Sequence, residues 1–438
     1  MSFKLSVFLL RNLPKVVACL VLLFAFRCFA DDPQRPFIVK SYVAEVQPNL
    51  KNKTITGKTS ISVIVDKSVT EISFPLNEFQ IDQVQLDGKS SSFEVRDGKL
   101  FIPVKSGRSA KLKVSYHGSP KSGLNFGDDF AYTAFSTCHW MICDEDPGMK
   151  SNIEIQVLAP KEYSVIASGK KIKTIHEAGN ISRHIWREDR PYASYVYGFA
   201  VGKFKTLTDN VGKEKLHYLG IGQSEEDLQK KFQDTPRMLK FLESKAGVPL
   251  PHGQYTQVLV PGDEAQEESS FSVIGTNELD PILKDPHEDW AIVHELAHQW
   301  WGNLITCKSW QHFWLNEGIV VFIVAAYKEE RWGKVDYEKE MALAKKRYQH
   351  AIDARLDVPL TYSGKYPSLS MKRSIVYSKG ALFMDALRKE MGDESFWSGL
   401  KSYTQAHIGG VVESKDFQGA MEHAYGKNLD SIFKKWVY

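Results

Sequence analysis

Trp290-Ala-Ile-Val-His294-Glu295-Leu-Ala-His298-Gln-Trp-Trp301 is the stretch on which both fold and chemistry turn. His294 and His298 stand four residues apart, so on a helix both imidazoles leave one face, about a turn from each other. Two nitrogens placed that way can reach one ion at roughly 2.0–2.1 Å, the usual zinc–nitrogen distance. Glu295 is rotated by about 100° from His294, near the ion without being forced to bind it, and so suited to take a proton from water. A catalytic zinc needs a third protein ligand and an open fourth position. Glu317 supplies it: it follows His298 after 18 intervening residues, within Trp314-Leu-Asn-Glu317-Gly318, at the head of an apolar helical run, Ile319–Tyr327. His-Glu-x-x-His arises by chance in roughly two of a hundred chains of this composition, and a Glu at one defined later spacing cuts that about tenfold. The reading is one Zn2+ per chain. Upstream, Asp285-Pro286-His287-Glu288 has the form of a helix start, with Asp at the N-cap, Pro at the first position and Glu at the third. Gly302-Asn303 is placed to end the helix.

Outward from this stretch, the chain divides. From Asp285 onward nearly everything has helical period, and Glu225–Ala246 reads as a surface helix with Leu228, Phe232, Met238, Leu239 and Leu242 on its apolar face. Tyr255–Val260 is strand-like. Before about Leu207 the pattern is different. Thr56–Val65, Ala110–Tyr116 and Ile153–Leu158 alternate as half-buried strands do, with turns marked by Asp87-Gly88, Asp97-Gly98 and Ser106-Gly107. The expected fold is an antiparallel β-sandwich over residues 31–207, followed by a mostly helical catalytic domain with a little sheet over 208–438. The length of 438 residues fits two domains.

Residues 1–30 stand apart. Lys4, Arg11 and Lys15 precede an apolar run from Val16 to Phe26, and Cys28-Phe29-Ala30 leads into Asp31-Asp32. A basic start, a short apolar core and small residues at the end read as a cleavable secretory signal; roughly 11 apolar residues fall short of the ~20 that span a bilayer. Export to a periplasm or the exterior is the expectation, with no stable membrane insertion afterwards. Loss of the four positive charges in that segment takes the net charge from +3 to −1. A near-neutral chain makes no electrostatic case for nucleic acid or an acidic membrane as partner. Three of the five cysteines remain, Cys138, Cys143 and Cys307, an odd set in which Cys138 and Cys143 could pair in an oxidising compartment. Asn52-Lys-Thr54 and Asn180-Ile-Ser182 are glycosylation sequons in a host that uses them.

The string His294-Glu295-Leu-Ala-His298-Gln-Trp-Trp-Gly-Asn303, followed at a set gap by Trp314-Leu-Asn-Glu317-Gly318, resembles the signature of the M1 family of zinc aminopeptidases. Three further segments are similar to that family: Cys143-Asp-Glu-Asp-Pro147 followed by Lys150, the stretch Tyr195–Phe204, and Val376-Tyr377-Ser-Lys-Gly380. The resemblance spans most of residues 37–438. It implies a β-sandwich before a thermolysin-like catalytic domain, and it implies that the Tyr377 hydroxyl stabilises the oxyanion of the tetrahedral intermediate. It also implies a loop, Gly-x-Met-x-Asn with a nearby Glu, that binds the free amine of the substrate. Here the matching segment is Glu264-Ala-Gln-Glu-Glu268, which keeps the alanine and Glu267 but lacks the glycine, methionine and asparagine. Glu267 is the candidate amine anchor and Glu268 the second choice. The lost glycine puts the loop's edge-strand binding in doubt, because a glycine permits close backbone approach. A second amine-binding side chain from the β-domain is not evident around Thr133–Cys138. Asp430-Ser-Ile-Phe-Lys-Lys-Trp436 resembles the end of the family's catalytic domain, and the further domains usual in the family do not follow it. That implies a more open cleft.

The expected function is hydrolysis of peptide bonds by a zinc metallopeptidase, most directly an aminopeptidase acting on peptides. Two other readings remain: an endopeptidase with an open cleft, and a secreted binding protein that keeps the metal site without turnover.

Overall fold

The computed structural model describes residues 35–438; the secretory signal expected at 1–30 lies outside the described residues. The amino-terminal half is built from strands whose alternation is the one read above. Phe37–Asn49 buries nearly every second side chain, as does Thr54–Val65 beside it, so each strand gives one face to a core and one to water. These two lie at the middle of a nine-stranded sheet. It runs in the order 170–176, 181–187, 150–160, 37–49, 54–65, 109–118, 79–86 and 89–90, with the short strand 192–193 pairing beside 150–160. A three-stranded sheet (71–75, 99–103, 94–96) and a four-stranded one (164–167, 199–202, 130–134, 123–126) complete the domain. The expected antiparallel pairing holds with one difference. Phe37–Asn49 and Lys150–Pro160 run parallel, in register from Ser41 opposite Asn152 to Val46 opposite Val157.

The next sheet has five strands in the order 205–211, 214–220, 254–260, 271–275 and 265–266. It separates the two cores. Val258, Val260, Phe271 and Val273 belong to the β-domain core, while Leu216, Tyr255, Leu259 and Ile274 belong to the helical one. Period-two alternation lets one sheet serve both. The boundary expected at 207/208 falls inside the strand Lys205–Val211, whose antiparallel partner is Glu214–Gly220. Hydrogen bonding to that partner assigns the whole hairpin to the second sheet, so the division comes just before residue 205.

The helix expected over Glu225–Ala246 is two, Glu225–Phe232 and Thr235–Ala246. Pro236 has no N–H to offer the carbonyl four residues back, so the first helix stops and a second starts from Asp234. The helix expected from Pro286 starts instead at Trp290 and ends at Ala297. Residues 285–288 close a separate turn, with the Glu288 N–H donating to the Asp285 carbonyl at 3.0 Å. Asp289 takes the cap position, its carboxylate accepting from Trp332 Nε1 at 3.1 Å. Beyond Ala297 the N–H groups of Gln299 and Trp300 donate to carbonyls three residues back, so the last turn tightens.

Candidate metal centre and cleft

His294 on the helix Trp290–Ala297 and His298 at its C-cap project to one side, and Glu317 comes from the first turn of the helix Trp314–Trp332. Their ligand atoms form a small triangle. The two Nε2 atoms are 3.1 Å apart, and Glu317 Oε2 lies 3.5 Å from His294 Nε2 and 3.4 Å from His298 Nε2. Tetrahedral ligands at about 2.0–2.1 Å from zinc stand roughly 3.3–3.4 Å from each other, so the triangle has the size that zinc requires. Glu317 Oε2 is buried without a hydrogen-bond partner, as an oxygen reserved for a metal would be. Among the described residues, these three form the group of histidines and acids able to share an ion. The residues fit one zinc.

The electrostatics agree. Burial alone would lower the pKa of His298, but the carboxylates of Glu317 and Glu267 overcome it and raise it strongly. Burial would likewise raise Glu317, and His298 reverses this to hold it low. Such a field favours a cation at the triangle. His298 Nδ1 lies 2.9 Å from the Trp301 carbonyl, which places the proton on Nδ1 and leaves Nε2 for metal. Gly302 makes that turn possible: its φ is +133°, and a Cβ there would sit 2.8 Å from His298 Nδ1.

Two more glycines set the spacing of the helices. A Cβ on Gly380 would lie 2.8 Å from the Gly318 Cα, and the reverse holds for Gly318. The helix carrying Glu317 and the segment carrying Tyr377 therefore meet backbone to backbone. Tyr377 lies in a π-helical stretch, Ser374–Lys379, that leads into the helix Gly380–Met391; single π turns concentrate at functional sites. Its ring is nearly parallel to that of His294, at 7° with centroids 6.4 Å apart. Burial raises its hydroxyl pKa, and Glu317 and Glu267 raise it further, so at neutral pH the hydroxyl carries its proton. Lys379 anchors the segment through Asp357 Oδ1 at 2.8 Å and the Val358 carbonyl at 2.7 Å.

A cleft of about 660 Å³ opens over these groups, with Glu295, Glu267 and Tyr377 in its lining. Glu295 is buried, and its Oε2 has no partner. Burial raises its pKa, as do Glu267 and Glu317, against the opposing effect of His298. A carboxyl of raised basicity beside a metal site is suited to moving a proton.

The facing wall is the loop 264–270. Despite its lost glycine it retains an edge strand: Ala265–Gln266 pairs antiparallel with Phe271–Gly275 at the end of the five-stranded sheet. The two candidate amine anchors part company. Glu267 lines the cleft, with Oε2 accepting from Gln266 Nε2 at 2.8 Å. Glu268 points away, under the β-domain. Its Oε1 accepts from Thr133 Oγ1 at 3.2 Å, against Gly198, where a Cβ would come within 2.3 Å of that oxygen.

Several residues that hold the site were quoted above without a role. Asn303 Nδ2 donates to the Glu267 carbonyl at 3.1 Å and Gln299 Nε2 to the Glu268 carbonyl at 3.1 Å, while Gln299 Oε1 accepts from the Ser270 N–H at 3.1 Å. The metal-bearing segment thus carries the loop's backbone. Lys150 crosses from the β-domain to donate to the carbonyls of Asn303 at 3.1 Å and Leu304 at 2.9 Å, with burial lowering its pKa to about 7. Asn316 Nδ2 donates to the Tyr195 hydroxyl at 2.9 Å, which donates to the Gly302 carbonyl at 3.2 Å. Their place inside the motif strings was the only signal in the sequence. Cys138, Cys143 and Cys307 are separate buried thiols.

Fold and site together define the class: a metallopeptidase scaffold of two domains over a single zinc centre. The Peptidase M1 N-terminal domain matches residues 39–196 and the Peptidase family M1 domain matches residues 230–436, and the chain belongs to peptidase family M1. Among curated relatives, probable aminopeptidase 2 of Sulfurisphaera tokodaii is 25% identical over 424 residues, covering 89% of this chain and 52% of the relative. Aminopeptidase N of Lactococcus lactis subsp. lactis is 24% identical, covering 92% and 51%. The chain thus spans about half the length of the curated relatives it matches. The crystal structure of an M1 zinc metallopeptidase from Deinococcus radiodurans superposes with a TM-score of 0.76 at 20% identity, covering 92% of this chain and 94% of that one. A mutant of it bound to a Tyr-Ser-Ala substrate gives 0.75 at 21% identity, covering the same shares. At these identities the structures establish the fold.

Proposed function

We propose that this chain is an exported zinc aminopeptidase that releases N-terminal residues from peptides. The observation that carries the reading is the Glu267 carboxylate, which lines the same cleft as the metal triangle. A buried carboxylate is a strong partner for an α-ammonium, and the charge of this one acts on the metal-binding His298. Bound at His294, His298 and Glu317, zinc supplies Lewis-acid polarisation of the scissile carbonyl and acidifies water. Glu295 takes the proton of the attacking water and returns it to the leaving nitrogen. Tyr377 donates its hydroxyl proton as a hydrogen bond to the oxygen that gains charge. Glu267 fixes the amine, so cleavage falls after the first residue.

The test compares a peptide with its N-acetylated form, with and without chelator. Cleavage of the free peptide alone, one residue at a time and lost on chelation, is the expected result. Internal cleavage of the blocked peptide at a similar rate sinks the aminopeptidase reading in favour of an endopeptidase. Binding of both without cleavage favours the non-catalytic protein. The leader read at 1–30 supports export, checked by sequencing the amino terminus of protein recovered outside the cytoplasm.

A further inference from the structure

The cleft is charged differently at its two ends. At the end made by the loop 264–270 stands Glu267. From the helical segment that carries Tyr377, Arg373 lines the same cleft. Arg373 is one turn before Tyr377 in a continuous helical segment (Leu369–Arg373 running into Ser374–Lys379), so it shares the face that Tyr377 presents to the cleft. Arg347 joins it in the lining from the helix Lys334–Asp353. Among the described residues neither guanidinium has a hydrogen-bond or ion-pair partner, whereas most other arginines of the chain are tied to carboxylates, as Arg183, Arg331 and Arg388 are. Glu340, an acid of the lining on the same helix as Arg347, is already engaged by Lys328 Nζ at 2.6 Å. Two uncompensated guanidinium groups facing one cleft are a site for a carboxylate, which the planar fork of arginine binds with two parallel hydrogen bonds.

Direction follows from the chemistry of the substrate. A peptide whose ammonium lies at Glu267 and whose first peptide bond lies over the metal site extends its remaining residues away from the loop 264–270, toward the helical segment of Arg373 and Tyr377. That is the arginine end. We propose that Arg373 and Arg347 bind a carboxylate on the leaving-group side of the substrate, and that the preferred substrates are short peptides whose C-terminal carboxylate ends within the cleft. This rests on the aminopeptidase reading for its orientation. An aspartate or glutamate side chain on the leaving-group side carries the same chemistry, and the experiment separates the two sources.

The experiment uses zinc-loaded Glu295→Gln protein, which separates binding from cleavage. Calorimetry measures the affinity of one tripeptide as its C-terminal acid, as its C-terminal amide, and as the amide with aspartate at the last position. The acid is expected to bind about tenfold more tightly than the plain amide, the advantage of one charge-assisted contact in a partly solvated site. Adding Arg347→Gln and Arg373→Gln is expected to bring the ratio toward one. If the aspartyl amide alone gains the advantage, the carboxylate read is a side chain and the preference for short peptides is overturned. If acid, plain amide and aspartyl amide bind alike, or if the ratio survives loss of both arginines, the whole proposal is overturned. Failure of the aminopeptidase reading shows elsewhere, as absence of cleavage by the wild type of an aminoacyl coumarylamide, which has no carboxylate.

Discussion

The two walls of the cleft are held by different means. One wall, carrying His294, His298, Glu317 and Tyr377, is helix against helix, brought to backbone contact at Gly318 and Gly380. Its function lies in side-chain atoms a few tenths of an ångström from their required places. The other wall, residues 264–270, is an edge strand of two residues and a loop, held from elsewhere by the side chains of Asn303 and Gln299 and by the backbone carbonyl of Val196 in the β-domain. Its function lies mostly in its backbone. Residue identity is therefore tightly constrained on the first wall. On the second, three family positions differ here while the edge strand persists.

The largest expected effect breaks the first wall at its chemistry. Glu295→Gln keeps shape and burial but cannot accept a proton. The kcat/KM for peptides should fall about 10³-fold, within the range general bases contribute, with zinc content unchanged by metal analysis. A loss under tenfold would remove Glu295 from the mechanism.

A second change attacks the packing of that wall. Gly380→Ala places a methyl group 2.8 Å from the Gly318 Cα, and backbone cannot yield as a flexible side chain can. Parting the helices should cost about 1–3 kcal/mol in unfolding experiments, as overpacking does. It should also lower kcat, because Tyr377 moves away from Glu317. A variant of unchanged stability and activity would show that the crossing tolerates separation.

The contrast between the walls also explains what could be read in the sequence. His294 and His298 were legible because helical spacing alone places two side chains on one face, and Glu317 because a third ligand was needed at one spacing. The β-strands were legible from alternation. The start of the metal helix was not. The turn at Asp285–Glu288 has cap chemistry of its own, and the true cap, Asp289, is fixed by Trp332 and Lys328 from more than thirty residues away. The separate fates of Glu267 and Glu268 were hidden for the same reason. Adjacent residues on a strand-like backbone face opposite ways, but which one faces the metal depends on register, and Asn303, Gln299 and Thr133 set that register.

That separation gives the third prediction, which sharpens the comparison within one wall. Glu267→Gln should raise KM for free-amine substrates about tenfold or more, through loss of a charged hydrogen bond, without moving KM for substrates lacking the amine. Glu268→Gln should leave KM alone and change stability instead. Burial, reinforced by Glu267, raises the Glu268 pKa well above its ordinary value, so the folded protein keeps a proton that the unfolded chain gives up above about 4.5. Wild-type stability on this account falls as pH rises past that value. The amide has no such penalty, and the variant should gain thermal stability relative to wild type from acid toward neutral pH. A KM effect at Glu268, or none at Glu267, would reverse the assignment.

The smallest expected effect lies outside the cleft, where the metal wall is propped. Trp314 Nε1 donates to Ser414 Oγ at 2.9 Å, which ties the start of the Glu317 helix to the start of the helix Ser414–Tyr425. Glu413 caps that second helix, with its carboxylate paired to Lys415 at 2.9 Å and Lys308 at 3.0 Å. Those two hydrogen bonds lower its pKa to about 2. A folded-state pKa below the unfolded value of about 4.5 means that the carboxylate stabilises fully above 4.5 and loses its contribution as pH falls through 2. Because the group is largely solvated, Glu413→Gln should cost at most about 1 kcal/mol at neutral pH. The difference in Tm between wild type and variant should shrink steadily from pH 5 to pH 2. Zinc affinity should change little in comparison with any substitution at Gly318 or Gly380, since the prop acts on the end of a helix already fixed at its crossing. A difference in Tm that persists at pH 2 would mean that the capping geometry at Glu413, and not its charge, supports the wall.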